Sequence, residues 1–213
     1  MRRHQLENGG IAWARLQGRW IASGGIVFDA IRDFLAQRRF RKDLGKLHDL
    51  TEGFVNEVHD IAAKDKFERD LMFLEVLVLG NFVVSEIYLG LSSDKEYASY
   101  VLDEHHELTA HLHFELNLPN LQERFPDKNS DELRKTFMKL YFDKTTERGP
   151  EYRSIMQDEQ GLFRFSERQF SDLGQHLLKH SSKIDAEVRK AILVFFGVAV
   201  AKLVSRSFKL LKH

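Results

Sequence analysis

The stretch Leu71 to Leu91, LMFLEVLVLGNFVVSEIYLGL, constrains this chain more than any other. Read as a helix it is apolar around its whole circumference. A helix of that kind must be covered on all sides, by other helices or by lipid. Its length approaches the roughly 20 residues that span a bilayer. Glu75, Asn81 and Glu86 would be costly at mid-bilayer, so the central helix of a bundle is expected. Glu75 and Glu86 are eleven residues apart, about 20° from each other around the helix. Two carboxylates on one stripe of so apolar a helix need cationic partners from a neighbour. Otherwise they form a polar slot that takes a ligand or metal.

Most of the remaining chain has helical spacing. Apolar residues recur through 11–40 (Ile11, Trp13, Leu16, Trp20, then Ile26, Ile31, Phe34, Leu35), with a break or kink at Gly24-Gly25. Leu44, Leu47, Phe54, Val58 and Ile61 share a face over 42–64. Ser92-Ser93-Asp94 caps a helix from about 94 to 107. Further helices are expected over 131–144, 167–181 and 184–211, with loops at 117–129 and 146–161, where all three prolines fall. One segment breaks the period. Leu108 to Leu118, LTAHLHFELNL, alternates apolar and polar over eleven residues, the pattern of a half-buried strand. A lone strand leaves its backbone unpaired, and Leu162-Phe163-Arg164-Phe165 is the matching short run. The expectation is therefore a mainly α, single helical-bundle-like domain over 1–213. It has six to seven helices and a small β-hairpin of 108–118 with 162–166. If the helix from 94 instead continues to 116, the alternation is chance.

Charge separates along the chain although the total is zero, with 32 basic and 32 acidic side chains. Residues 1–50 carry 10 basic and 5 acidic groups, and 151–213 carry 11 and 7; the middle is acidic. The balance argues against a nucleic-acid partner. The basic ends either neutralise the middle or face phosphates such as lipid headgroups. With no cysteine, thiol nucleophiles, disulfides and cysteine-ligated metals are excluded. Met-Arg-Arg-His opens the sequence without an apolar run of signal-peptide length, so a cytoplasmic chain is expected, at a membrane surface where its basic ends meet lipid. Gly-rich phosphate loops and Gly-x-Ser-x-Gly are absent.

Ten histidines raise the question of a metal. His48/Glu52, His111/Glu115 and His176/His180 have the i, i+4 spacing of helical ligands, a spacing that so many histidines also produce by chance. His106-Glu107 lies one residue too far from His111 for a zincin pair. On a strand, His111, His113 and Glu115 would project to one face about 6–7 Å apart. That set suits a divalent iron, zinc or manganese ion; the alternative is a solvated polar face. His105, near the apolar face, reads as a satisfied core residue.

Two basic regions stand out. Arg38, Arg39, Arg41 and Lys42 around Phe40 could contact phosphate or lipid, or form a solvated helix end. In 184–212, Ala191 to Ala201 is wholly apolar and every charge after Glu187 is positive, a pattern shared by interfacial helices and core helices with a basic tail. The function expected is a non-catalytic helical binding or interaction protein. Its partner is another protein, a second copy of itself, or a membrane surface met by the helix 184–212. The alternative is a metal-dependent enzyme or metal carrier built on the His/Glu cluster.

Overall fold

The computed structural model describes residues 26–64, 69–178 and 186–212. The described residues are all-α, forming α1 (Ile26–Lys64), α2 (Arg69–Leu91), α3 (Lys95–Arg124), α4 (Ser130–Met156), α5 (Glu167–Leu178) and α6 (Ala186–Leu211). Two compact units divide the chain, Met1–Lys42 and Asp43–His213, with the boundary inside α1. The expected helix positions between 11 and 25 lie outside the described residues.

Within Asp43–His213, α2 is the central element and packs against α3, α4, α5 and α6. From Leu74 to Leu91 it is long and apolar enough to cross a membrane, and 72% of that stretch is buried in the bundle. Leu77, Leu79 and Val84 are wholly covered. Leu47, Leu50, Phe54, Val55 and Val58 of α1 are buried at helical spacing, as are Phe196, Ala199, Val200, Leu203 and Val204 of α6. Two glycines allow close helix approach. A Cβ on Gly80 would lie 2.8 Å from Phe54 Cδ1, and one on Gly174 would lie 2.9 Å from Leu193 Cδ2.

Local signals set the helix ends. Asp94 caps α3 by accepting from the Tyr97 backbone N–H at 3.0 Å. Asn129 and Glu132 form a reciprocal capping box at the start of α4.

The hairpin expectation is overturned. Residues 108–118 are helical within α3, and among the described residues there is no strand, only an isolated bridge of Gln157 with Phe163. Asp158 organises the turn between them, its Oδ1 accepting from the N–H groups of Gln160 and Leu162 at 2.9 Å each. The expected loops also shrink, because α3 runs through Pro119 and α4 through Pro150. A proline in a helix interior costs about 3 kcal/mol. In α4 the turn after Pro150 is anchored by Tyr152 and Met156, 0% and 1% exposed.

Candidate functional site

A chain of polar side chains drawn from four helices crosses the apolar bundle interior. Thr51 comes from α1, Asn81 and Ser85 from α2, His105, His106 and Thr109 from α3, and Tyr141 from α4. Thr51, Asn81, His105, Thr109 and Tyr141 are all fully buried. Such groups persist in a core only when each finds a partner. Thr51 Oγ1 donates to Asn81 Oδ1 at 3.1 Å, and Asn81 Nδ2 donates to the Tyr141 hydroxyl at 2.5 Å. His105 Nε2 lies 3.2 Å from Thr51 Oγ1, and its Nδ1 3.4 Å from Thr109 Oγ1. His106 Nδ1 lies 2.9 Å from the Tyr141 hydroxyl, and its Nε2 3.2 Å from Ser85 Oγ.

The asymmetric Asn81 amide gives the inner part of this chain a direction. With its oxygen toward Thr51, Thr109 donates to His105, His105 to Thr51, Thr51 to Asn81, and Asn81 to Tyr141. The tautomer of His106 sets the direction of its contacts with Tyr141 and Ser85. Both imidazoles are neutral. Burial pushes His105 down to about 3, helped by the neighbouring His106 and His48, and burial pushes His106 down to about 4. Burial also raises the Tyr141 phenol, so its proton stays in place.

A second cluster neutralises the charge on α2. Glu75 accepts from Arg148 Nε at 3.1 and 3.2 Å, from Arg148 Nη2 at 3.1 Å, from Lys144 Nζ at 2.9 Å and from the Tyr152 hydroxyl at 3.3 Å. Burial pushes this carboxyl up, but the Arg148 and Lys144 bonds and charges outweigh it and hold Glu75 below the usual carboxylate range. Glu86, near the end of α2, pairs with Arg153 of α4. The two carboxylates thus have the neighbouring-helix cations that their positions require.

Between α2, α3 and α4 lies a cleft of about 290 Å³. Val78, Phe82, Leu89 and Leu102 form its apolar walls, Ser85 and His106 reach it from the polar chain, and Asp103, Glu86 and Arg153 supply its charge. Its volume is near the lower end for small-molecule sites.

The His111, His113 and Glu115 set expected to share a strand face is dispersed on α3. His111 is half-buried, 3.9 Å from Glu107. His113 is 2% exposed and faces inward, with Nε2 2.6 Å from Glu52 Oε1. Glu115 is on the surface, paired with Arg134 at 2.5 Å. Alternate positions on a helix lie about 200° apart, so His111 and His113 cannot meet one ion. Among the described residues no group of three or more histidine, aspartate or glutamate side chains is placed to hold a metal. Arg38, Arg39, Arg41 and Lys42 are exposed on α1 in the Met1–Lys42 unit, beside exposed Phe34 and Leu35.

Sequence reasoning singled out Glu75, Glu86, Asn81 and His105 but missed Tyr141, Thr51, Ser85 and Arg148. The available signal was polar residues at core positions of apolar faces, such as Thr51 between Leu47 and Leu50 on one side and Phe54 and Val58 on the other. Scans against protein-family models, curated proteins and solved structures find no match to this chain.

Proposed function

We propose that this chain is a non-catalytic helical interaction protein that docks on anionic membrane surfaces through α6. One observation carries the reading. Val194, Phe195 and Val198 are 62%, 55% and 47% exposed, three large apolar side chains within five residues of one helix. The opposite side of α6, from Phe196 to Leu211, is spent on the bundle core. Exposed Lys190 precedes the apolar patch, and exposed Lys202, Lys209 and Lys212 follow it. At about 100° per residue, Val194, Val198, Lys202, Lys209 and Lys212 fall within about 80° of arc. Lys202 also pairs with Glu57; Lys190, Lys209 and Lys212 have no acidic partner among the described residues. Apolar groups that enter the headgroup boundary, with ammonium groups at headgroup level, are what an interfacial helix presents.

The basic cluster of the other unit has the same chemistry. On α1, Phe34, Leu35, Arg38, Arg41 and Lys42 lie within about 120° of arc, all exposed. A membrane face rich in anionic headgroups is the location that goes with this reading.

The test is co-sedimentation with phosphatidylcholine vesicles, with and without phosphatidylserine, across a range of NaCl. Binding should need the anionic lipid, weaken as salt rises, and fall sharply in Val194→Ser/Phe195→Ser. Absence of binding at low salt overturns the proposal. So does a wild-type dimer that the same double variant dissociates, because the face then belongs to a second copy.

A further inference from the structure

The cleft between α2, α3 and α4 lies apart from the α6 face, and its chemistry is specific. His106 is held neutral and faces Ser85, so it adds no charge. Glu86 is matched by Arg153. Asp103 is an exposed residue lining the cleft, without a hydrogen-bonding or ionic partner among the described residues, and partial desolvation there pushes its carboxyl up. The cleft therefore carries one uncompensated negative charge above apolar walls of Val78, Phe82 and Leu102. Ser85 is 9% exposed. Its hydroxyl lines the cleft and lies 3.2 Å from His106 Nε2.

The geometry points to a binding site for a small organic ammonium ion with a compact apolar body and one hydrogen-bond-accepting oxygen. The ammonium group pairs with Asp103, the apolar body fills the space between Phe82 and Leu102, and the oxygen accepts from Ser85. An anionic ligand of the same shape meets Asp103 with like charge and is rejected.

Isothermal titration of the full 213-residue chain tests this, with tyramine as the probe and 3-(4-hydroxyphenyl)propionate as its charge-reversed counterpart. Tyramine should bind saturably at one site, and the propionate should not. Asp103→Asn should lose about tenfold or more in tyramine affinity, and Ser85→Ala should lose a smaller factor. Asp103 holds no partner among the described residues, so Asp103→Asn should melt with the wild type and isolates binding from stability. Equal affinity for the two probes overturns the assignment, as does unchanged tyramine affinity in Asp103→Asn, or the absence of saturable tyramine binding to the wild type.

Discussion

The Tyr141 hydroxyl sits 2.5 Å from Asn81 Nδ2, a contact between α4 and the central helix with both residues fully buried. Asn81 bonds Thr51 on its other side, so one amide ties three helices together. Tyr141→Phe removes an acceptor from Asn81 and a hydrogen-bond partner from His106 while keeping the ring. It should cost about 1–3 kcal/mol in chemical denaturation. Asn81→Ala should cost more, because it also opens a cavity and strands Thr51. The two changes should be strongly non-additive in a double-mutant cycle; additive values contradict a shared network.

Acid should unfold the bundle earlier than carboxylate titration requires. In the fold, His105 and His106 stay neutral down to about 3 and about 4, whereas in the unfolded chain they take up protons near their ordinary value of 6.5. Their contribution is complete above pH 6.5 and is lost as pH falls toward the folded values. Each should steepen the loss by about 1.4 kcal/mol per pH unit. Glu52, held low by its bond from His113 against the effect of burial, and Glu75, held low by Arg148 and Lys144, add further loss below pH 4.5. Stability should already fall between pH 7 and 5, ahead of the loss from Glu52 and Glu75. Native-state imidazole resonances of His105 and His106 that shift near pH 6.5 would refute this.

Breaking the Glu75 cluster from one side should be more harmful than removing it whole. Arg148→Met leaves a buried carboxylate with Lys144 and Tyr152 alone and should destabilise by about 3–5 kcal/mol. Glu75→Leu with Arg148→Met removes both charges and should recover much of that loss, as thermal melting would show. A double variant less stable than the single one contradicts the account.

Glycine-to-alanine changes should have opposite signs at two positions. Gly80→Ala pushes a methyl against the Phe54 ring and should cost about 1–3 kcal/mol. Gly45, in α1, has nothing within 4 Å of an added Cβ, so Gly45→Ala should gain about 1 kcal/mol from helix propensity. Urea melts of the two variants make the comparison.

The central role of α2 was legible because an all-round apolar helix has few alternatives, and the Asp94 cap because its chemistry is local. The need of Glu75 for a cation could be read, but Arg148 could not, since the pairing spans 73 residues. The segment 108–118 misled for a related reason. Thr109 and His113 turn inward to His105 and Glu52, while Leu112 and Leu116 are 37% and 69% exposed. A helix that buries polar side chains and exposes leucines can imitate strand alternation. The network that defines the core thus concealed its own secondary structure.

The most direct test of the membrane reading uses the absence of cysteine. Val198→Cys creates a single thiol on the exposed face of α6, where an environment-sensitive fluorophore can be attached. The account predicts a blue shift when phosphatidylserine-containing vesicles are added, quenching by spin-labelled lipid, and reversal by high salt. A fluorophore whose emission is unchanged by those vesicles at low salt would contradict it.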